Sequence, residues 1–339
     1  MNETNINISL YFIKNQYEKC FFEKHYSRVN PVKITSMTDP SVTFIGSTVS
    51  VFKPYILNED IDPKGMYLLQ KSIRTRGFKK LLIPEYSEWG SFFTCMGAIL
   101  PYSDQNLEKL VYDIFDYLVL YLNIDYQDIV IRVNNEDKDL VESLKNIDSK
   151  ILREYNTKDE KYYKHRYGLD YLNIYGRNFN IALRDKNDNQ FKDIGNIIVM
   201  ESPNKKYAVE VGIGDSSIVL RTFGKKSSIE CSHFGGIFDI TNAEELKFAD
   251  CLIVVSNLVY EDVKRIIEPR YPRYYFGKYC KALVSWQKEL KISNIELLKY
   301  IREYIYLEYN QELEKEDNKI LQYINKSSKS VHSFKQTQN

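Results

Sequence analysis

The chain has 339 residues, of which 43% are hydrophobic and 27% are charged, and its formal net charge at pH 7 is +1. This composition is typical of a globular protein, and the length suits one large domain followed by a smaller one. The near-zero net charge excludes a global field that would attract nucleic acid or a membrane surface, so a polyanion site must be a local patch.

Apolar runs, cysteine spacing and histidine spacing further restrict the class of protein. No apolar run reaches membrane-spanning length, and the polar N-terminus lacks the apolar core of a signal peptide. The five cysteines are scattered without a CxxC pair, which indicates reduced thiols, and we expect a cytoplasmic protein with no membrane partner. The four histidines show no HxxxH or HExxH spacing, so we expect no zinc or other metal site.

The first third of the chain combines helix and strand patterns. Residues 8–28 predict an amphipathic helix, and the β-branched residues 42–51 predict a strand. Residues 67–100 read as a strand, a long loop and a second strand, with Arg74 and Arg76 ending the first strand. Because arginine binds phosphate bidentately, this basic mouth beside small side chains suits a polyanionic ligand. A hairpin with a solvated basic tip is the simpler alternative.

The middle of the chain places a glycine pair at a strand-to-helix turn. A strand beginning near Tyr207 runs into Gly212 and Gly214, and a helix follows from Asp215 or Ser216. Such a turn lets a ligand approach the backbone, and a helix N-terminus favours anions. The pair is not a dinucleotide fingerprint, because the third glycine is missing, and no Walker-type GxxxxGK[ST] motif occurs.

The composition changes near Thr241, after which only helical patterns remain. Residues 1–240 are therefore expected to form the larger domain, residues 241–326 a helical domain, and residues 327–339 a flexible tail. The last expected helix spans residues 294–326. The helical part also contains a basic and tyrosine-rich stretch.

The cations of this stretch are candidate RNA-binding residues: Lys264, Arg265, Arg270, Arg273 and Lys278. Interleaved cations and aromatics can bind RNA, with charge contacting phosphates and rings stacking on exposed bases. A surface helix pair whose aromatics turn inward is an equally good interpretation.

Several segments, taken in order, match one known family. Residues 39–53 contain Asp39-Pro40-Ser41 and FIGSTVSVFK, residues 70–74 read QKSIR, residues 91–97 read SFFTCMG, and residues 210–214 read EVGIG. Together they resemble the catalytic domain of alanyl-tRNA synthetase, a class II aminoacyl-tRNA synthetase. The resemblance covers roughly residues 10 to 225 in order and is more specific than any single motif. It points to a truncated member of this family that has diverged in motifs 2 and 3.

The resemblance implies an α+β fold, in which a mixed, mostly antiparallel sheet is flanked by helices and followed by a smaller all-α domain. It implies a ligase that uses ATP with Mg²⁺ to activate an amino acid or related amino-carboxylate as an aminoacyl-adenylate. The acyl group would pass to an acceptor, either tRNA or a non-tRNA small molecule or carrier. We expect a monomer or weak homodimer.

The family's site residues carry over by position. Arg74 would be the catalytic arginine that holds the α-phosphate, Glu210 would pair with the substrate α-ammonium, and Asn196 lies at a position near the substrate. The implied ATP site comprises Arg74, Arg76, Lys79, Phe93, Gly212, Gly214 and Arg221.

Two departures from the family favour a different reading. Ser216-Ser217 replace a Glu-Arg pair whose arginine grips the γ-phosphate, and Thr94 replaces a glutamate that contacts adenine. A lost charge-assisted contact costs about 1.5–3 kcal/mol. The alternative is therefore a catalytically degenerate, synthetase-like regulatory module that binds tRNA, nucleotide or a partner protein. The retained Arg74 and Glu210 favour the diverged enzyme.

Overall fold

One sheet organises the computed structural model, which describes residues 4–75, 77–165, 169, 173–262 and 270–330. Its strands are β1 (Ser27–Arg28), β2 (Met66–Ile73), β3 (Phe92–Pro101), β4 (Ile129–Val133), β5 (Leu152–Tyr155), β6 (Lys164–His165), β7 (Tyr175–Arg184), β8 (Phe191–Ser202) and β9 (Lys205–Gly214). The order is β1-β2-β3-β9-β8-β7-β4-β5, and β6 pairs with β7. The β1–β2 and β4–β5 pairs are parallel and the other described pairs are antiparallel.

Helices lie around this sheet and follow it in the chain. They are α1 (Thr4–Glu23), α2 (Val49–Leu57), α3 (Asp104–Asp116), α4 (Lys138–Glu142), α5 (Asp215–Phe223), α6 (Ala243–Tyr260), α7 (Arg270–Glu289), α8 (Asn294–Tyr309) and α9 (Asp317–Ser330). The predicted α+β fold, with a mostly antiparallel sheet flanked by helices and further helices at the C-terminal end, is confirmed.

The two faces of the sheet differ because side chains alternate along a strand. On β9, Val209, Val211 and Ile213 are buried in the largest apolar cluster, together with residues of α1, α3 and α5. Glu210 and Gly212, at the alternate positions, lie on the other face. Helices therefore cover the first face, and the second face carries the polar residues.

The second face is covered at one end by α2. Val49 and Phe52 of this helix pack in one apolar cluster with Leu68 of β2 and Ile198 of β8. The predicted strand at residues 42–51 is therefore wrong, since α2 begins at Val49. Burial of the β-branched residues against the sheet overrides their strand propensity, because α2 is apolar on most of its surface.

The C-terminal helices are joined to the β2–β3 hairpin through buried hydrogen bonds. The backbone N and the Oγ of Ser91 donate to the Asp250 carboxylate of α6 at 2.7 and 2.9 Å, and Tyr279 of α7 donates to Ser91 Oγ at 2.8 Å. Trp286 Nε1 donates to the Leu81 carbonyl oxygen at 2.8 Å. These helices thus hold the long hairpin loop near its middle, at Leu81, and at its end, at Ser91.

The single helix expected over residues 294–326 is two helices. Helix α8 ends at Tyr309 because Asn310 adopts a left-handed conformation with φ 51°, which closes the helix. Helix α9 continues to Ser330, past the expected start of the tail at residue 327. Residues 331–339 lie outside the described part of the chain, and the proposed domain boundaries stay a prediction.

Gly195 of β8 offers a test of the sheet packing. A Cβ atom at this position would lie 2.3 Å from the carbonyl oxygen of Gly212, whereas a Cβ at Gly77 would have no described atom within 4 Å. We expect Gly195→Ala to lower the free energy of unfolding by about 1–3 kcal/mol, because the backbone of β9 cannot move aside cheaply. Gly77→Ala is the matched control, and equal urea midpoints for the two variants would contradict this packing.

Candidate active site on the open face of the sheet

Two glycines lie side by side in the sheet at the candidate site. Gly97 of β3 and Gly212 of β9 are paired in register, and both lie on the second face of the sheet. A Cβ at Gly97 would lie 2.2 Å from Thr48 Oγ1, so Thr48 sits directly on this glycine. Among the described residues, a Cβ at Gly212 would meet only Glu210 Oε1 at 3.8 Å and Cys95 Sγ at 3.9 Å. Gly212 therefore leaves space at the sheet surface beside a carboxylate.

Glu210 is the buried acid of the site. Its side chain is 2% exposed, and its Oε1 accepts a hydrogen bond from Thr48 Oγ1 at 2.9 Å. Burial raises the pKa of Glu210 to about 7, although the Thr48 hydrogen bond and the charge of Arg74 lower it. A cationic ligand group beside this carboxylate would favour its ionised form.

Arg74 faces the same cleft from the end of β2. Its side chain is exposed, its Nε donates to the Gly46 carbonyl oxygen at 3.0 Å, and its guanidinium carbon lies 4.7 Å from the centre of the Phe93 ring. Its positive charge acts on both Glu210 and Cys95, lowering the pKa of each group against the raising effect of burial. The structure thus brings the predicted catalytic arginine and the predicted ammonium-binding acid to one cleft.

Phe93 and Gly214 meet where β9 passes into α5. A Cβ at Gly214 would lie 3.5 Å from Phe93 Cδ2 and 2.7 Å from Ser217 Oγ. The Asp215 carboxylate accepts hydrogen bonds from the backbone N of Thr94 at 3.1 Å and of Ser216 at 2.6 Å. The first turn of α5 therefore already has a buried carboxylate at the place where an anion would bind.

The replacement of the family's Glu-Arg pair by Ser216-Ser217 is visible in the structure. Ser216 and Ser217 are 6% and 8% exposed, so neither presents a cation or an open surface. Arg221, the expected substitute, is 2% exposed and donates from Nη1 to Glu88 Oε1 at 2.6 Å and Asp185 Oδ2 at 2.8 Å. A phosphate-binding role for Arg221 would require breaking both ion pairs, and this role stays a prediction.

Of the other two predicted basic residues of the hairpin loop, the structure describes one. Lys79 is exposed in the short 3₁₀ turn Phe78–Lys80, and Arg76 lies outside the described residues.

Thr94, which replaces the family's glutamate, is 3% exposed. It alternates with Phe93 and Cys95 along β3, so its side chain lies on the opposite face from theirs. This substitution therefore removes no group from the cleft itself.

Asn196 lies on the second face of the sheet, in strand β8 next to Gly212 of β9. It pairs with Gly212 on one side and with Asn180 on the other. Its Nδ2 lies 2.8 Å from His165 Nε2. The structure places Asn196 on the same face as Glu210 and Gly212, and its contact with substrate stays a prediction.

Sequence reasoning missed several polar residues of this face. Thr48 was hidden inside the expected strand, although a threonine before an apolar helix is a common N-cap. Asn178 and Asn180 carry a clearer signal, because asparagines at alternate positions of an apolar strand place two amides on one face. His165, which contacts Asn196, gave no signal, since the loop pattern around it has no period.

The basic and aromatic stretch is only partly described. Lys264 and Arg265 lie outside the described residues, and α7 begins at Arg270. Arg273 is exposed, whereas Phe276 and Tyr279 are buried against the other C-terminal helices. The Lys278 Nζ lies 5.6 Å from the centre of the Tyr274 ring. Two aromatics thus turn inward, and RNA binding by this stretch stays a prediction.

Three further properties concern the described residues as a whole: the state of the cysteines, possible metal sites and possible membrane spans. All five cysteines are buried free thiols. Within the described residues, no group of three or more His, Cys, Asp or Glu side chains is arranged to hold a metal ion. Across the same residues, no helix combines the length and the apolar character needed to cross a membrane.

Comparison with known proteins gives similarity only at the level of solved structures. No family model matches the sequence, and no curated protein matches it either. Similar structures are the RNA binding domain of threonyl-tRNA synthetase from Cryptosporidium parvum Iowa II (13% identity, TM-score 0.43) and aspartyl-tRNA synthetase from Entamoeba histolytica (11%, 0.41). A further one is a protein described as an aspartyl-tRNA synthetase from Leishmania major Friedlin (10%, 0.39).

The matched regions cover 65%, 68% and 68% of this chain and 65%, 58% and 65% of those chains, in the same order. The chain therefore spans less than two thirds of the length of each of these structures. All three are synthetases or synthetase domains, and none is an alanyl enzyme.

The raised pKa of Glu210 predicts a specific pH dependence of stability. A carboxyl group with a folded-state pKa near 7 contributes stability that is fully present below its unfolded pKa of 4.5 and is lost as the pH rises to about 7. Over this range we expect the free energy of unfolding of the wild type to fall by roughly 3 kcal/mol relative to Glu210→Gln. Urea unfolding at several pH values measures this difference.

Glu312, which is exposed, supplies the control for this experiment. The variant Glu312→Gln should keep the pH dependence of the wild type. A constant difference between wild type and Glu210→Gln from pH 4.5 to pH 7 would mean that folding does not raise the pKa of Glu210.

Proposed function

We propose that this protein activates an amino acid or related amino-carboxylate with ATP, forming an aminoacyl-adenylate that it passes to an acceptor. The observation that carries the proposal is that the charge of exposed Arg74 acts on buried Glu210, beside Gly212, whose backbone leaves space at the sheet surface. An amino acid joined to a phosphate needs an anion for its ammonium group and a cation for its phosphate. The cleft provides both.

In this reaction the protein mainly positions the reacting groups and stabilises charge. The substrate carboxylate oxygen forms a bond to the α-phosphorus of ATP, and the bond between the α- and β-phosphates breaks, with its electron pair leaving on pyrophosphate. Glu210 would hold the ammonium group, and Arg74 would stabilise the charge that develops on the α-phosphate oxygens. Phe93, which already lies beneath the Arg74 guanidinium, offers a ring face for the adenine base.

The residues fit ATP at the α-phosphate better than at the γ-phosphate. Arg74 is exposed and Gly212 leaves room, whereas Ser217 is buried and Arg221 is held by two carboxylates. Mg²⁺ binds nucleotides mainly through phosphate oxygens with one or two protein carboxylates. We therefore propose that Mg²⁺ would enter with ATP, and that binding of the terminal phosphate is weak.

The acceptor of the acyl group is tRNA or a non-tRNA small molecule or carrier, and the cytoplasm is the proposed location. The exposed Arg273 of α7 supports a nucleic-acid contact, but its neighbours Phe276 and Tyr279 are buried. We propose a monomer or a weak homodimer.

A second candidate is a synthetase-like module that binds nucleotide, tRNA or a partner protein without catalysis. The specific observation in its favour is the buried state of both Ser217 and Arg221, which leaves the γ-phosphate end of the site without an exposed cation among the described residues of α5. Binding without adenylate formation separates this candidate from the enzyme.

Arg74 is the residue to change first. We expect Arg74→Ala to reduce amino-acid-dependent exchange of pyrophosphate into ATP by roughly 10²–10³-fold, because a preorganised cation at the developing charge is lost. The fold should be kept, since the side chain is exposed. Arg74→Lys should recover only part of the rate, because lysine lacks the bidentate fork.

Arg28, an exposed arginine on β1, provides the control, and Arg28→Ala should exchange at the wild-type rate. Exchange by Arg74→Ala at the rate of Arg28→Ala would remove Arg74 from the mechanism. If the wild type binds ATP or tRNA in calorimetry but shows no exchange with any amino acid, the binding module is the function.

The pKa of Glu210 also predicts how amino-acid binding depends on pH. An ammonium ligand binds the ionised carboxylate, so the dissociation constant should be roughly tenfold larger at pH 6 than at pH 8. Glu210→Gln should bind weakly at both pH values. Calorimetric titration checks this expectation, and a pH-independent affinity in the wild type would assign the ammonium group to another residue.

A further inference from the structure

Asn196 is the neighbour of Gly212 on the second face of the sheet. The two residues pair in register between β8 and β9, and both are half-buried. Among the described residues, a Cβ at Gly212 would have only Glu210 Oε1 and Cys95 Sγ within 4 Å. A ligand group over Gly212 would therefore lie next to the Glu210 carboxylate and one strand spacing, about 5 Å, from the backbone of Asn196.

His165 approaches Asn196 from the other side. It belongs to β6, which pairs with β7, and β7 lies beyond β8 from Gly212 in the order of the sheet. Three residues before it, the Tyr162 carbonyl oxygen lies 3.4 Å from the amide nitrogen of Asn180, the β7 partner of Asn196. The segment that carries His165 therefore lies on the β7 side of Asn196, opposite to the space over Gly212.

The imidazole of His165 orients the Asn196 amide. Asn196 Nδ2 lies 2.8 Å from His165 Nε2, and within the described part of the chain this is the only hydrogen bond of the Asn196 side chain. An amide nitrogen donates and does not accept, so Nε2 is the acceptor and the ring carries its proton on Nδ1. Because the two amide atoms share one carbon, holding Nδ2 toward the histidine turns Oδ1 away from it. Asn196 Oδ1 thus keeps its capacity to accept a hydrogen bond.

We propose that His165 is a positioning residue of the amino-acid site, which holds the Asn196 amide so that Oδ1 accepts a hydrogen bond from the substrate ammonium group over Gly212. The proposal rests on the proposed function, because it completes the binding of the same ammonium group. An ammonium group has three donors, so it binds more tightly when a second acceptor lies beside the carboxylate. Glu210 supplies the opposite charge, and Asn196 supplies the second acceptor.

The direction of the hydrogen bond between His165 and Asn196 decides which amide atom meets the ligand. With Nε2 as the acceptor, the amide presents Oδ1, which attracts the donors of an ammonium group. With the proton on Nε2, the ring would donate to Oδ1, and the amide would present its own donor, Nδ2, to the ammonium group. The two donors would then oppose each other. Loss of the histidine would leave the amide to rotate between these two orientations.

The first test measures KM and kcat of pyrophosphate exchange into ATP, with the standard amino acids as probes, at pH 8, above the pKa of about 7 of Glu210. We expect His165→Leu to raise the KM for the amino acid at least about tenfold, the usual loss for a hydrogen bond to a charged group. The kcat should stay within about twofold, because the ammonium group is bound alike in the ground state and the transition state. His165→Gln should recover much of the affinity, since glutamine Oε1 also accepts from Nδ2. A purely structural role of His165 would instead lower kcat and leave KM unchanged.

A double-mutant cycle shows whether His165 acts through Asn196. Asn196→Ala should raise KM by a factor similar to that of His165→Leu, and the double variant should raise it no further, because both changes remove the same oriented acceptor. Lys164→Gln, at the exposed neighbouring position of β6, is the matched control and should keep the wild-type KM. Effects of His165→Leu and Asn196→Ala that simply multiply would overturn the inference.

The nitrogen NMR chemical shifts of His165 give a readout that does not depend on activity. His165 is one of four histidines, so comparison with His165→Gln identifies its signals. We expect the proton on Nδ1 and none on Nε2 at pH 8, and a proton on Nε2 would overturn the inference without touching the proposed function.

The remaining outcomes separate the inference from the proposed function. Exchange with an unchanged KM in His165→Leu would overturn the inference and keep the function. Calorimetric binding of an amino acid that weakens in His165→Leu, without exchange in the wild type, would support the inference and overturn adenylate formation. Neither binding nor exchange with any amino acid of the panel would overturn both.

Discussion

The two-residue alternation of β9 is the constraint on which the rest of the structure depends. Val209, Val211 and Ile213 enter the main apolar core, so Glu210 and Gly212 must lie on the opposite face. A slip of one residue in register would bury the glycines and expose the valines. Burial of apolar side chains therefore fixes the register of β9. The residues proposed for the chemistry, Glu210 and Gly212, lie on the opposite face as a consequence.

The site is built at a cost to stability. A carboxyl group with a pKa near 7 is destabilising when ionised, and among the described residues only Thr48 donates a hydrogen bond to the Glu210 carboxylate. Thr48 in turn depends on Gly97, since any side chain there would displace it. Helix α2, which begins directly after Thr48, holds it in place through the apolar contacts of Val49 and Phe52. Structural packing and site geometry thus share the same few residues.

The helices after residue 243 support the hairpin that carries Arg74. The Ser91 hydrogen bonds to Asp250 and Tyr279 fix the return of the hairpin at the point where the backbone N of Arg74 donates to the Ser91 carbonyl oxygen. Buried hydrogen-bonded networks of this kind rigidify a structure when every member has a partner. The position of the exposed guanidinium is therefore set by contacts that lie behind it, in the helical part of the chain.

Sequence alone determined the larger elements, because they depend on local patterns: the strand leading to Gly212 and Gly214, the helix that follows it, and the helical C-terminal region. It also gave Arg74 and Glu210 as site candidates through their motif positions, and the structure places them in one cleft. Only the tertiary structure decided that residues 49–57 are a helix and that Arg221 is held in a buried ion-pair cluster. It also decided that Asn196 of β8 lies beside Gly212 on the face that carries Glu210. These outcomes depend on burial and on partners distant in sequence, which local propensity and spacing do not contain.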